Sequence, residues 1–204
     1  MKILKKEYSR EKPIKKSNPK EKLKKSLRRY KISHKIRFQK PFLRFWFRYI
    51  EPNIKDLENC KFKKVIKIIQ NDFDNFVSLT YEELSNELIK ERFKDIDSSG
   101  SYWDIKIELD ILASLKDNKI VVGECKWKNS KICKKTLTSL KKKCKISNIE
   151  ADFFALFSKS GFSNELLNNR DKNILLFDLE DLKEWAGREA SFKKREKAPY
   201  SFGF

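Results

Sequence analysis

Apolar and polar positions follow two different periods along this chain. Lys61–Gln70 carries Phe62, Val65, Ile66 and Ile69 at helical spacing, and Asp72–Phe93 puts Val77, Tyr81, Leu84 and Leu88 on one stripe. These predict two helices, ended by the turn-forming Ser98-Ser99-Gly100. Beyond Gly100 the period shortens. Tyr102–Lys106 reads as a short strand, and Glu108–Leu115 and Ile120–Trp127 as two longer ones joined by the turn signal Lys116-Asp117-Asn118-Lys119. Lys131–Ile146 returns to helical spacing, with Leu137, Leu140 and Cys144 as its apolar stripe. Asp152–Ser158 and Ile174–Leu179 are two further strands, Leu182–Ala190 a closing helix, and the tail from Phe192 has no period. The expected order is helix, three strands, helix, strand, strand, without an internal repeat.

The first fifty residues differ. They hold 19 Lys/Arg against 3 Glu, a net of +16 out of +19 for the 204-residue chain. Residues 1–29, with Pro13 and Pro19 and few large apolar side chains, read as an extended or disordered basic arm. Such an arm attracts polyanions, nucleic acid above all, and it equally suits a solvated tail. The dense aromatic block Pro41–Ile50, closed by Pro52, predicts a short buried helix with Arg44 and Arg48 on its wet face. Aromatic and Arg side chains can also stack bases, but burial is the commoner use of so many rings.

Scarcity narrows the chemistry. One histidine, His34, excludes Ser-His-Asp hydrolysis and sites built on paired imidazoles. Five glycines and no phosphate-cradling glycine motif leave no recognisable nucleotide loop. No apolar run approaches the ~18 residues that would cross a bilayer. Cys60, Cys125, Cys133 and Cys144 form no C-x-x-C pair and read as free thiols of a reducing, cytoplasmic compartment.

The informative stretch is Glu108-Leu109-Asp110 followed by Glu124-Cys125-Lys126. In a hairpin centred on Asp117, Asp110 lies seven residues before the centre and Glu124 seven after, so the two carboxylates face each other. Lys126, two residues beyond Glu124, emerges on the same face and Cys125 on the opposite, core-facing one. Facing carboxylates repel unless a cation sits between them, and a hard divalent ion such as Mg²⁺ fits oxygen ligands. The lysine could orient or deprotonate a water, or stabilise a phosphate under attack. Gly123 would admit a ligand or backbone closely. A solvated strand face with alternating charges is the plainer reading of E-x-K in a chain with 38% charged residues. The lysines after the motif, Lys128, Lys131, Lys134 and Lys135 and then Lys141, Lys142, Lys143 and Lys145, are a candidate phosphate-backbone surface, or a solvated helix face.

The run ELDILASLKDNKIVVGECKWKN resembles the PD-(D/E)xK nuclease superfamily. It is more closely similar to the C-terminal domain of unknown function (234) of archaeal-type ATPases. PFLRFWFRYIEPN resembles that family's aromatic connector, LTYEELSNEL its first core helix, YWDIKIELDILA its first two strands and FFALFSKSGFSNEL a later strand and loop. The resemblance implies an α/β fold with a restriction-endonuclease-like αβββαβ core, a mixed sheet flanked by helices. It implies Asp110 and Glu124 as ligands of Mg²⁺ or Mn²⁺ and Lys126 as the catalytic lysine. A glutamate from the first helix would support them; the aromatic-Glu pattern picks Glu82 after Tyr81, although helical phase alone does not separate Glu82 from Glu83. The P-loop ATPase and winged-helix modules of full-length relatives are not expected here, and residues 1–29 resemble the end of the wing.

The expected organisation is a basic arm (1–29), an aromatic helical connector (30–70), a nuclease-like domain (71–190) and a tail (191–204). The expected function is Mg²⁺-dependent hydrolysis of DNA phosphodiesters. The rivals are a non-catalytic module of the same fold that binds DNA or a separate ATPase subunit, and a non-functional fragment.

Overall fold

The turn signal after Leu115 closes a tight hairpin in the computed structural model, which describes residues 3–10, 33–168 and 171–196, the last eight of these by backbone alone. Asn118 takes the left-handed conformation (φ 64°) that such a turn needs, and its N–H bonds the Leu115 carbonyl at 3.0 Å. The hairpin joins β4 (Glu108–Leu115) to β5 (Ile120–Lys126), counted after β1 (Leu4–Tyr8), β2 (His34–Phe38) and β3 (Ile96–Trp103). With β6 (Phe153–Ser158) and β7 (Ile174–Phe177) they form one mixed sheet, ordered β3-β4-β5-β6-β7. The first three strands are antiparallel and the last three parallel. β1 and β2 pair separately as a two-stranded antiparallel sheet.

Helix α1 (Pro41–Phe45) runs on as a wider π-type turn over Trp46–Ile50 and a tight turn over Glu51–Asn53, and α2 (Ile54–Glu58) follows. The long α3 (Phe62–Arg92) precedes the sheet, α4 (Lys134–Ile146) links β5 to β6, α5 (Asn164–Leu167) lies before β7, and α6 (Leu179–Glu196) closes the described chain. From α3 onward the expected order of a helix, three strands, a helix and two strands is present, but its first strand is Ile96–Trp103 and not Tyr102–Lys106, and α5 intervenes between the last two strands.

The sheet is sandwiched. Tyr81, Leu88 and Ile89 of α3 and Leu182 of α6 pack on Ile111, Ala113, Val121, Cys125, Ala155, Phe157 and Phe177. Leu137, Leu140 and Cys144 of α4 pack on Leu109, Val122 and Leu156 of the other face. Each fully buried Leu, Ile or Phe removes enough apolar area for about 1.5–3 kcal/mol of stabilisation. β5 is buried on both faces because it is the central strand, and Cys125 and Cys144 serve there as small apolar residues.

Several expectations are corrected. The two predicted helices of 61–93 are one, α3, since nothing between Gln70 and Asp72 breaks it. Ser98-Ser99-Gly100 lies inside β3, an irregular edge strand, because small residues that read as a terminator also suit register shifts. The tail is helical to Glu196. Leu4–Tyr8, expected extended or disordered, is a strand whose partner lies some thirty positions on, beyond the reach of a local pattern. The rest of the basic arm described as 1–29, and residues 197–204 of the tail, lie outside the described residues. The aromatic block is not a buried helix: Tyr49 is buried, whereas Phe42, Trp46 and Phe47 stay exposed. Nor does Arg44 face water, since its side chain is 10% exposed and pairs with Glu83 at 2.7 Å. Gly123 admits neither ligand nor backbone; a Cβ there would meet Ile111 Cβ at 3.0 Å, so close packing between strands explains it.

Candidate active site

The β4–β5 register pairs Ile111 with Gly123, Leu112 with Val122, Ala113 with Val121 and Ser114 with Ile120. One step further along this register sets Asp110 opposite Glu124, as the hairpin arithmetic requires. The ladder is broken at that step: the Cys125 N–H donates to Asp110 Oδ2 at 2.7 Å instead of to a strand carbonyl. The cause is a bulge in β4. Gly100 pairs with Leu112 and Tyr102 with Leu109, so two steps on β3 span three on β4. Leu109 accordingly packs with the α4-side core and Ile111 with the α3-side core, which strict alternation would forbid. The bulge sets Asp110 between the layers, within electrostatic reach of Glu82 on α3 and Glu124 on β5. The regular-hairpin expectation of a single shared face is thus modified at Asp110.

Burial, and then the Glu124 charge, push the Asp110 carboxyl up to about 6. Burial, and then the Asp110 charge, push Glu82 up to about 7, with Arg37 and Lys35 of β2 opposing. Its neighbour Glu83 behaves oppositely. Burial would raise it, but the hydrogen bonds from Arg44 at 2.7 Å and Lys5 at 2.9 Å win and hold it below its ordinary value. Helical phase left Glu82 and Glu83 open; the structure sets Glu82 beside Asp110 and gives Glu83 to ion pairs that dock α1 and β1.

Glu124 is buried, and both its oxygens are taken: Lys126 Nζ lies 2.6 Å from Oε1 and Lys143 Nζ 2.7 Å from Oε2. For Lys126, burial works against the charge, but the hydrogen bond to Glu124 outweighs it and the amine is raised above its ordinary value. Lys126 is therefore an ammonium at neutral pH and suits charge stabilisation, not proton abstraction. Among the described residues no group of three or more His, Cys, Asp or Glu side chains is arranged to hold a metal ion.

None of the four candidate phosphate-binding lysines pairs with an acid of this site. Lys128 and Lys131 lie exposed in the segment before α4, and Lys134 and Lys135 begin that helix, with Lys134 paired to Glu165 at 3.2 Å. Lys134 is nine residues, or about 13 Å of helix axis, from Lys143. The lysine that does enter is Lys143. A signal for it existed: it is three residues beyond Leu140 and next to Cys144, at the edge of the buried stripe.

The N-terminal hairpin roofs the α3 side. A cleft of about 530 Å³ runs between Lys5, Glu7 and Arg10 on one wall and Glu82, Ser99 and Asp110 on the other. Arg10 N–H bonds the Ser101 carbonyl at 3.1 Å and Ser9 Oγ the Trp103 carbonyl at 2.6 Å, so this segment covers edge strand β3. Lys35 of β2 pairs with Glu108 and lies 4.5 Å from the centre of the Trp103 ring.

Residues 46–137 match DUF234, a family of archaeal and bacterial proteins of unknown function. The matched segment contains Glu82, Asp110, Glu124 and Lys126. An uncharacterised protein of Methanocaldococcus jannaschii, MJECL04, is 32% identical over 151 residues, which are 69% of this chain and 33% of that protein. The chain thus spans about a third of that relative's length. The crystal structure of a protein of unknown function, AF1548, is similar with a TM-score of 0.41 and 15% identity, over 54% of this chain and 67% of that one. No helix among the described residues is long and apolar enough to cross a membrane.

Proposed function

We propose that the chain carries a restriction-endonuclease-like core of the PD-(D/E)xK type and hydrolyses phosphodiester bonds of nucleic acid with a divalent cation. The observation that carries this reading is the bulge-set Asp110 beside Glu124, with Lys126 on one side and Glu82 on the other. The donor set fits a hard cation. Two crowded carboxyl groups, one pushed up to about 6, gain from a positive charge between them, and Mg²⁺ is commonly held by one or two carboxylates together with substrate phosphate. Asp110 and Glu124 would hold the ion, which when bound polarises the phosphate and lowers the pKa of water.

The chain's own residues do the rest. Lys126, held as an ammonium, stabilises negative charge developing on a phosphate oxygen. Glu82, at about 7, sits near neutrality, where a carboxylate both accepts a proton from water and returns it. Burial of Asp110 and Glu82 behind the N-terminal strands, and of Glu124 beneath α4, limits water and strengthens each charge interaction.

A second reading, a non-catalytic module that binds DNA or an ATPase partner, has one observation in its favour: both Glu124 oxygens are already neutralised by lysine. The ATPase link itself rests on the sequence resemblance. Incubation of supercoiled plasmid with Mg²⁺ or Mn²⁺, against EDTA, separates the readings. Metal-dependent nicking that disappears in Lys126→Ala supports the hydrolase. DNA binding without nicking, unchanged by Asp110→Asn, supports the module.

A further inference from the structure

Lys141, Lys142, Lys143 and Lys145 form one run in α4, yet their side chains do different things. Lys142 and Lys145 are exposed, and Lys141 lies 5.1 Å from the centre of the Phe154 ring. Lys143, half-buried like Lys141, reaches the buried Glu124 at 2.7 Å. Glu124 already has a cation, Lys126, at 2.6 Å on its other oxygen. Lys126 and Lys143 thus take one Glu124 oxygen each, and both also lie within electrostatic reach of Asp110, so two ammonium groups serve the two crowded carboxylates.

We infer that Lys143 is a second substrate-positioning cation of the site, a lysine that occupies Glu124 while the site is empty and serves a phosphodiester oxygen when Glu124 is given to a divalent ion. This rests on the proposed hydrolase reading and adds to it a residue from outside the acid-x-Lys strand. The charge count supports the exchange. With Asp110 and Glu124 holding a divalent ion, Lys126 and Lys143 would be freed from Glu124 to pair with anionic oxygens of the substrate phosphate. Lys143 stands on a different element from Lys126, so the two approach Glu124 from the helix layer and from the strand, each on its own carboxylate oxygen.

The inference makes two predictions of opposite sign. Lys143→Gln removes a competitor for Glu124 and a repelling charge, so Mn²⁺, counted by electron paramagnetic resonance of the free ion, should bind roughly tenfold more tightly. The same change removes one phosphate contact. Affinity for a DNA duplex, measured in Ca²⁺ over a salt series, should fall, and the slope of log K against log salt should shrink by about 0.9. Lys143→Arg, which keeps the charge, should leave that slope at its wild-type value. Thermal melting of both variants confirms that each is folded. Unchanged or weaker Mn²⁺ binding in Lys143→Gln, or an unaltered salt slope, overturns the inference and leaves Lys143 a structural partner of Glu124. Failure of the wild type to bind Mn²⁺ at all overturns the hydrolase reading beneath it.

Discussion

Two neighbouring glutamates on α3 stand for two regions that treat charge in opposite ways. Glu83 belongs to a docking seam in which every acid meets a base: Lys5 and Arg44 hold it, and Asp72, a few turns earlier, is held by Arg48 at 2.5 Å and the Tyr49 hydroxyl at 2.8 Å. Both carboxyls of the seam lie below their ordinary values. For Asp72 the Arg48 hydrogen bond is the main cause; for Glu83 the bonds from Arg44 and Lys5 overcome burial. Glu82 belongs instead to a cluster in which acids crowd acids, and it and Asp110 lie above theirs, mainly through burial. Residues one apart on a helix point about 100° apart, so one faces the docked hairpin and the other the sheet. The seam is arranged for stability and the cluster is not, which is why the proposed function is placed on the cluster.

The largest expected break in this contrast is catalytic. Asp110→Asn should reduce metal-dependent cleavage by roughly 10²-fold or more, as removal of a group that stabilises transition-state charge does. At pH 8 the same variant should melt no lower than wild type, because it removes a buried charge that repels two others. A lower melting temperature in Asp110→Asn would show that the cluster is structural.

Next in size is the seam. Glu83→Leu strands the nearly buried Arg44 without its carboxylate partner and should cost about 2 kcal/mol in urea unfolding, without the gain expected at Asp110.

The pH dependence has opposite signs in the two regions. Folded pKa values of about 6 and 7 for Asp110 and Glu82 exceed their unfolded values, so the folded state binds more protons in this window. Their contribution to stability is therefore present at pH 4 and is lost as pH rises through 6 and 7, about 3 kcal/mol for each group. The depressed Asp72 and Glu83 contribute above pH 4 and are lost as pH falls below it. Unfolding free energies from pH 3 to 8 should peak near pH 4, and a Glu82→Gln, Asp110→Asn double variant should lose the decline above it.

The smallest effect belongs to the hairpin's half-exposed pair. Lys35→Ala should change global stability by less than about 1 kcal/mol. It should nonetheless speed amide exchange in His34–Phe38, and 1 M salt should do the same in wild type while leaving β5 protected.

Much of this was legible in the residues themselves. The strand pair Glu108–Leu115 and Ile120–Lys126, its turn and its register follow from local alternation and from Asn118, because a hairpin is a short-range object. The α4 stripe of Leu137, Leu140 and Cys144 follows in the same way. Local pattern failed where the partner was remote or the geometry irregular. Leu4–Tyr8 reads as polar because its inward positions, Lys5 and Glu7, face ion partners on α3 and β2 and not a core. The merged α3 was hidden by the Asn- and Asp-rich stretch at Gln70–Asn75, which lowers helix propensity but carries no Gly or Pro to break the helix.

The sequence by itself determined the strand–helix order of the sheet from β4 to β7 and the opposition of Asp110 to Glu124, since both depend on spacing within a few turns of chain. The tertiary structure alone decided three things. The β4 bulge, which is expressed only against β3, sets Asp110 between two layers. The docking of the hairpin and α1 on Glu83 leaves Glu82 to the cluster. The packing of α4 on the sheet brings Lys143 to Glu124. Each is a contact between segments far apart in the chain, and burial there, not residue type, sets the charge behaviour of the groups it brings together.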